Sequence, residues 1–513
     1  MEKRPETRAF LQKASQIDPL TERIGAIGKY QVLIGLVYGL TLGHLAWQNF
    51  GNKFFSYPVQ YSCPALQDET SLIDPCDPLA CNGSVIFDES EFRHSIVSRW
   101  NLICDYDHYP RLAQTITFVG NLFGALISGH IADTYGRKTL ICLGTLLLGI
   151  FGTLGPLAPN FITWTALRFL TGVTTTSVNV GANVYFIEIV DGKWRSICSA
   201  LFGGISLQLG ILSLGLLVYL IPSMITAEYI IGASAFPVCF LWFFVPESPR
   251  WYLSMGKLQK ANTAIKNIAK FNGIHFEEIS SSSISSRENP RNSTKSIMDL
   301  FRYPGIRRNF IIMCLNWFGF TMGYYGLVYN TPTYDFNIYL VFVFPTFFAI
   351  PLNFVIPLIE NHIGRKPLLT GSMILSGVAL LVSLTLVGHN WPVTMCSIFG
   401  TVVSFAAMSS GYIFCKELFP TVLRTTALSF ATVAARLGSI LSPIVGSLDR
   451  IHPALPIGVY GLVSLTGGIL SIWLWPETKN IRLPDTLGEC EAAASTTNPW
   501  CKKCSKGHQP SED

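Results

Sequence analysis

Long apolar stretches that contain no Asp, Glu, Lys or Arg recur along this chain. A helix that crosses a membrane needs about 20 mostly apolar residues, because each residue rises about 1.5 Å through a hydrocarbon core about 30 Å thick. Uncharged runs of about that length are residues 30–52, 112–132, 139–167, 169–187, 196–227, 229–246, 309–334, 336–359, 367–415 and 451–476. Each of these runs predicts at least one membrane-spanning helix.

Interruptions within the runs raise the expected number of helices to twelve. Residues 367–415 are long enough for two helices, and the polar and proline residues at 389–392 indicate the turn between them. A Gly-Pro-Leu-Ala-Pro-Asn sequence at 155–160 predicts that a fourth helix begins near Phe161 and continues past Arg168. One more helix fits residues 421–448 if it tolerates the single charge of Arg436. The sequence therefore predicts an all-α membrane protein.

Composition and charge agree with this prediction and orient the chain. Of the 513 residues, 49% are apolar and 13% are charged, about half of the roughly 25% typical of soluble domains. The basic residues are dispersed, which excludes a nucleic-acid-binding face. Residues 1–29 carry six Lys and Arg, and residues 247–308 carry eleven against five acids, whereas residues 51–110 carry three against nine. Because cytoplasmic segments are enriched in Lys and Arg, we expect both termini to be cytoplasmic.

The predicted order is a cytoplasmic segment 1–29, a six-helix bundle 30–246 with an extracellular loop 51–110, a cytoplasmic linker 247–308, a second six-helix bundle 309–476 and a cytoplasmic tail 477–513. The extracellular loop contains four cysteines, which predict two disulfides with three possible pairings: Cys63, Cys76, Cys81 and Cys104. Unpaired thiols are the alternative. The sequon at Asn82 predicts glycosylation in the same loop. No motif indicates a metal or a cofactor.

The two predicted bundles repeat each other in sequence. Residues 133–138 (DTYGRK) match residues 361–366 (NHIGRK), and residues 246–248 (PES) match residues 476–478 (PET). Glu188 and Arg195 match Glu417 and Arg424, and the offset is 228 to 230 residues for all three matches. Each half has an even number of helices, so the copies run in the same direction. Parallel six-helix halves of this kind are a transporter architecture, with the substrate between the halves.

Charged residues of these repeats lie at the predicted cytoplasmic helix ends. Ion pairs between them can keep a gate closed there, and these pairs break when the gate opens. Basic loops beside lipid headgroups would explain the Arg and Lys residues but not the acids beside them. The predicted gate consists of Asp133, Gly136, Arg137, Glu188 and Arg195 in the first half and Arg365, Glu417 and Arg424 in the second. Asn361 replaces the acid of the first repeat, which weakens one pair.

These motifs resemble those of the major facilitator superfamily. The resemblance extends to the sequences PESPRW at 246–251 and ELFPTVLR at 417–424, and to the cysteine-bearing loop that ends with WNLICD at 100–105. More narrowly, they resemble its organic cation, organic anion and carnitine transporters. The resemblance implies a plasma-membrane carrier of small organic ions that works by alternating access, with sodium or a proton as a possible coupling ion.

Arg436, midway along the predicted eleventh helix, is the main candidate for substrate binding. A charge at the bilayer centre costs a few kcal/mol, so it is expected to face a wet cavity and a negative partner. An arginine can bind a carboxylate through two parallel hydrogen bonds, whereas pairing with an acid of the protein would be purely structural. In the family that the chain resembles, cation carriers have an Asp in this helix, and anion and carnitine carriers have an Arg. Arg168 is expected to be either a second anion contact or a snorkelling residue.

Aromatic residues on the predicted seventh helix supply a second feature. Trp317 and Tyr324 share one face, Tyr325 lies beside them, and Gln208 on the fifth helix is a polar candidate. Aromatic faces attract quaternary ammonium groups, although such residues also serve packing alone. Arginine and aromatic groups together favour a carnitine-like zwitterion. An organic anion exchanger and a non-transporting receptor on the same fold are the alternatives. An enzyme is not expected, because the chain has no P-loop, HExxH or GxSxG motif.

Overall fold

Long α-helices dominate the computed structural model, which describes residues 24–25, 27–57, 59–62, 85–90, 92–190, 194–274, 299–330, 337–386, 390–419 and 423–478. Within these ranges, twelve long helical segments follow the predicted order. They are α1 (Lys29–Phe50), α2 (Tyr109–Tyr135), α3 (Arg137–Leu154), α4 (Phe161–Ile189), α5 (Arg195–Cys198, Ser199–Ile205 and Ser206–Leu220), α6 (Met224–Ala233 and Ala235–Phe243), α7 (Pro304–Asn330), α8 (Ile338–Ile363), α9 (Arg365–Thr385), α10 (Asn390–Leu418), α11 (Arg424–Gly446) and α12 (Ala454–Leu474).

Eleven of these segments are long and apolar enough to cross a membrane, and α4 is the exception. This helix carries a series of threonines and Arg168, which lower its hydropathy. Thr171, Thr174 and Thr175 are nevertheless buried, because α4 packs between α2 and α3. A polar helix is tolerated in a bilayer when its polar groups face other helices. The prediction of twelve spanning helices is confirmed.

Close helix contact in the first half depends on small residues. A side chain added at Gly120 on α2 would place its Cβ 2.2 Å from the carbonyl oxygen of Phe169, and one at Gly172 on α4 would approach the carbonyl oxygen of Thr117 to 2.4 Å. Helices associate in membranes largely by such backbone-to-backbone packing. This packing fixes α4, and therefore Glu188 at its end, relative to α2.

Short elements connect the long helices. Within the described residues, the connection 51–110 contains the helices Asn52–Phe55 and Ile96–Trp100 and an antiparallel pair of strands, β1 (Tyr61–Ser62) and β2 (Ile86–Phe87). The connection between the halves contains the helices Pro249–Ser254, Leu258–Asn272 and Asp299–Arg302. We call the end of the molecule that carries residues 51–110 the loop end. The opposite end, with residues 136–138 and 364–366, is the motif end.

At the loop end, the two halves are in contact. The ammonium group of Lys53 donates a hydrogen bond to the carbonyl oxygen of Tyr329 on α7 at 3.2 Å. The ring of Phe54 packs edge-on against Phe342 on α8, with 4.9 Å between centroids, and stacks on Tyr339 at 5.9 Å. These side chains belong to one apolar cluster that extends across both halves. The structure therefore shows a conformation in which the loop end is closed.

Two ion pairs with opposite polarity also join the halves at the loop end. Arg111 on α2 pairs with Asp449, which follows α11, and Arg450 pairs with Asp107, which precedes α2. Each half thus contributes one acid and one base. Arg450 also lies 3.3 Å from the Nδ1 atom of His108. All four ion-paired side chains are 30–47% exposed, so each pair contributes about 0.2–1 kcal/mol.

Reversing one of these charges is expected to open the loop end. Asp449→Arg replaces an attraction to Arg111 by repulsion, which should change the ratio of open to closed molecules about five- to thirtyfold, equivalent to about 1–2 kcal/mol. Spin-label distances between the loop ends of α2 and α11 measure this ratio. The reciprocal variant R111D/D449R should restore the closed state, and Arg93→Asp is a control. A reciprocal variant as open as the single variant would show that the pair does not hold the gate.

Candidate functional site

At the motif end of the first half, a network of hydrogen bonds surrounds Arg137. Its Nε atom donates to Glu188 at 3.0 Å, and its Nη2 atom lies 3.0 Å from Asp133. The second carboxylate oxygen of Glu188 accepts a hydrogen bond from the hydroxyl of Ser248. The side chains of Arg137 and Glu188 are only 12% and 14% exposed, so solvent screens this pair less than a surface pair. Three segments distant in sequence are thereby tied together.

Glu247 holds the start of α3 in the same network. Its carboxylate accepts hydrogen bonds from the backbone N–H groups of Arg137 at 3.1 Å, Lys138 at 3.1 Å and Ser248 at 2.8 Å. Unpaired N–H groups at a helix N-terminus favour a negative charge, which this carboxylate supplies. Gly136 has a φ of +104°, and a Cβ there would lie 2.2 Å from Glu247. Glycine is therefore required at the tight turn between α2 and α3.

The second half repeats this arrangement. Arg365 pairs with Glu417 at 3.1 Å, Thr478 donates to the other oxygen of Glu417 at 2.6 Å, and Glu477 accepts the backbone N–H of Arg365 at 3.2 Å. Gly364, with a φ of +113°, is the counterpart of Gly136. The matching geometry explains why these residues recur in the sequence at a nearly constant offset.

Two details differ from a simple repeat. Glu360, which precedes Asn361 and is 3% exposed, interacts electrostatically with Arg365, but the described residues show no ion pair between them like that of Asp133 and Arg137. Arg195 donates from Nη2 to the carbonyl oxygen of Val190 at 3.3 Å. The buried Nε atom of its counterpart Arg424 has no hydrogen-bond partner among the described residues. The part of these two arginines in the gate stays a prediction.

Arg436 lies midway along α11, beside aromatic side chains of the second half. Its charge interacts with Tyr325 on α7 and with Tyr412 on α10. Within the described ranges no acid lies within ion-pairing distance of Arg436, and its buried Nε atom has no hydrogen-bond partner there. Arg436 as a whole is half-buried, and a guanidinium at this depth of a membrane-spanning helix is costly unless a ligand or water supplies the missing acceptor. The surroundings of Arg436 can therefore accept an anionic group.

Tyr412 lies where the two halves face each other. Its side chain is 43% exposed although it lies within the long helix α10. Its ring meets that of Trp317 edge-on at 4.4 Å, and it interacts across the halves with Tyr38 on α1. The hydroxyl of Tyr38 accepts a hydrogen bond from Asn183 on α4 at 3.1 Å. Sequence reasoning missed Tyr412, because one tyrosine in an apolar helix gives no signal of the face it occupies.

The predicted aromatic face of α7 is divided between two environments. Trp317 is 2% exposed and packs in an apolar cluster of the second half, behind Tyr412. Tyr324 instead lines a narrow pocket between α1, α5, α7, α8 and α10, together with Phe50 and Gln208. Tyr325 lies between these places, 5.0 Å from the ring of Phe118. Tyr325 and Tyr412 interact electrostatically with Arg436, whereas Tyr324, whose ring lies 5.4 Å from that of Tyr325, lines the pocket that contains Gln208.

Arg168 fits neither of its expected roles. It forms a buried ion pair with Glu228 on α6, and its guanidinium lies over the rings of Phe55 at 4.7 Å and Trp164 at 5.1 Å. The indole of Trp164 donates to the same carboxylate at 3.1 Å. The two ionised side chains are only 3% and 2% exposed. Arg168 is therefore a structural residue that joins α4 to α6 and does not reach lipid headgroups.

Several predicted sites lie outside the described residues. These are Cys63, Cys76, Cys81 and the glycosylation site Asn82. Cys104 is described, and its sulfur lies 3.9 Å from the hydroxyl of Tyr61. The disulfides and the glycan therefore stay predictions.

Comparison with known proteins identifies the family. Residues 91–486 match the family model described as "Sugar (and other) transporter". The chain is 30% identical over 421 residues to solute carrier family 22 member 6 of Mus musculus, covering 80% of this chain and 76% of that protein. It is also 30% identical over 424 residues to an organic cation transporter protein of Drosophila melanogaster, with the same shares covered.

The fold is that of a solved transporter. The inward-open structure of the xylose transporter XylE from E. coli superposes with a TM-score of 0.62 at 15% identity, covering 90% of this chain and 98% of that one. At this identity, the likeness shows the fold alone. Together with the family match, the twelve helices and the repeated motif-end networks, it makes the chain a multi-pass membrane transporter and not an enzyme. The chain belongs to the sugar and other transporter family of the major facilitator superfamily, within solute carrier family 22.

Proposed function

We propose that this transporter carries small organic ions bearing a carboxylate or another anionic group, and that Arg436 binds this group. The observation that supports this is the guanidinium of Arg436 in the membrane-spanning helix α11. Its Nε atom is buried without a hydrogen-bond partner, and no acid of the described residues lies within ion-pairing distance. A simple organic cation is disfavoured, because at 4 Å from Arg436 it would meet a repulsion of about 4 kcal/mol at an effective dielectric constant of about 20.

Alternating access provides the transport cycle in this proposal. The loop end is closed by Lys53, the aromatic cluster and two ion pairs. The motif-end networks around Arg137 and Arg365 each connect helices within one half, so each half can move as a unit. Rocking of such halves around a central site is how transporters of this architecture expose the site to each side in turn. We further propose that the motif end faces the cytoplasm of a plasma-membrane protein and that sodium or a proton drives the cycle.

A carnitine-like zwitterion is a narrower candidate than an organic anion. It needs an aromatic surface for the trimethylammonium group at a suitable distance from Arg436. Trp317 is buried behind Tyr412, and Tyr324 lines a different pocket, so the expected wall of two aromatic rings is not assembled beside Arg436. Tyr412 and Tyr325 are the rings that remain near the guanidinium. Because the expected pair of rings does not lie beside Arg436, we take the organic anion as the leading candidate and the zwitterion as the alternative.

Uptake measurements test the proposal and separate the two candidates. Proteoliposomes would be given a radiolabelled dicarboxylate, an aryl sulfonate, carnitine or tetraethylammonium, each with and without a sodium or proton gradient. We expect uptake of the anions, little uptake of carnitine and none of tetraethylammonium. Preferred uptake of carnitine would establish the zwitterion, and uptake of tetraethylammonium alone would refute the proposal. Liposomes without protein and liposomes with Arg436→Ala are the controls.

A further inference from the structure

A basic pocket of about 550 Å³ opens at the motif end of the first half, and neither Arg436 nor Tyr412 lines it. It lies between the end of α2, the start of α3, the segment after α6 and the helix Leu258–Asn272. Three lysines line it, Lys138, Lys257 and Lys260, together with polar side chains of the same helix, Thr263 and Asn267. Lysine, hydroxyl and amide groups all donate hydrogen bonds, so the pocket suits a ligand rich in acceptors.

The charge of this pocket is positive overall. Among the described residues that line it, Glu247 is the one acid, and its carboxylate already accepts N–H groups at the start of α3. Lys257 and Lys260 are exposed, and the ammonium group of Lys257 lies 4.9 Å from the centre of the Trp251 ring. No carboxylate is within ion-pairing distance of either lysine among the described residues. An anion can therefore enter without displacing an acid of the protein.

An apolar surface continues from the pocket along α6. Phe240, Phe243 and Phe244 expose 63%, 67% and 68% of their surface on the outside of the helix bundle. Lys138 joins this surface to the pocket, because its ammonium group bonds to the carbonyl oxygen of Phe243 and lies 5.4 Å from the ring. A water-soluble anion would use only the basic part of this arrangement. A molecule with an anionic head and a hydrocarbon tail would use both parts.

We propose that this pocket binds the headgroup of an anionic phospholipid, whose acyl chains lie along Phe243 and Phe244. The charge bias predicts that the motif end is cytoplasmic, and anionic lipids are concentrated in that leaflet. The headgroup would lie directly beside Glu247, which holds the start of α3 next to the ion pair of Arg137 and Glu188. Lipid binding at this place can therefore influence the motif-end network, whatever the transported substrate.

Binding of a short-chain lipid to the full chain tests this site without any transport assay. Native mass spectrometry in detergent would follow titration with dioctanoyl phosphatidylinositol 4-phosphate. The comparison probes are dioctanoyl phosphatidylcholine and soluble inositol 1,4-bisphosphate. Each lysine near an anionic headgroup contributes about 1 kcal/mol, or about fivefold in affinity. We expect about 25-fold weaker binding for K257A/K260A and less than twofold weakening for the matched variant K266A/K270A, which loses the same charge from the same helix.

Other outcomes would overturn the proposal. Equal weakening by K266A/K270A would mean that the helix attracts lipid by its overall charge, without a site. Equally tight binding of inositol 1,4-bisphosphate would indicate a site for a free phosphate compound, and equally tight phosphatidylcholine binding would exclude charge selection. If K257A/K260A fails to elute as a folded monomer, Lys260→Gln alone should weaken binding about fivefold, and unchanged binding there also refutes the site.

Discussion

Arg436→Ala is expected to reduce the uptake of carboxylate-bearing substrates at least thirtyfold while the protein still reaches the cell surface. Removing one partner of a buried, hydrogen-bonded charge pair costs about 2–5 kcal/mol, which corresponds to about thirty- to several-thousandfold. Folding should change little, because Arg436 has no ion pair with an acid of the described residues. Radiolabelled uptake, normalised to biotinylated surface protein, measures the effect.

Two further variants separate charge from geometry in this experiment. Arg436→Lys keeps the positive charge but cannot form two parallel hydrogen bonds, so we expect an intermediate loss of uptake. Arg93→Ala removes an exposed arginine of the loop end and should leave uptake unchanged. Undiminished uptake by Arg436→Ala would remove this residue from the binding site, and the proposed recognition of an anionic group would then fail.

Arg168→Met is expected to destabilise the protein by about 3–5 kcal/mol, because it removes the ion-pair partner of the buried Glu228 carboxylate, with which Arg99 interacts only from beyond ion-pairing distance. Both side chains are almost fully buried, and Trp164 can supply only one neutral hydrogen-bond donor. Thermal unfolding of the purified protein, monitored by the loss of monomer in size-exclusion chromatography, would show a clearly lower midpoint.

The double variant R168M/E228M gives the sharper test of this ion pair. Removing both charges also removes the burial penalty, so we expect it to recover most of the lost stability. Arg450→Met breaks an ion pair whose side chains are 39% and 47% exposed, and it should cost less than about 1 kcal/mol. A double variant as unstable as Arg168→Met would show that apolar packing, and not the uncompensated charge, determines the loss.

The internal repeat of the sequence identified more residues of the motif-end networks than the pattern of charged residues did by itself. The match between residues 246–248 and 476–478 contained Glu247 and Glu477, which the structure places at the starts of α3 and α9. Neither acid was among the predicted gate residues, although the repeat was the signal that could have identified them. Asn361 indicated a weakened pair, and this stays a prediction, although Glu360, one residue earlier, interacts electrostatically with Arg365.

The number, order and approximate ends of the helices were determined by the sequence, because hydropathy, charge and helix-breaking residues act over about 20 neighbouring positions. The sequence also identified Arg436, because a single charge stands out within about 20 apolar neighbouring positions. Only the tertiary structure decided which side chains contact each other. Arg168 pairs with Glu228, 60 positions away in the sequence, and Glu247 binds the backbone of Arg137, 110 positions away. Trp317 lies behind Tyr412. Such pairs depend on the rotation and packing of whole helices. A local pattern of polar and apolar residues does not specify that packing, because every face of a helix in a membrane can be apolar.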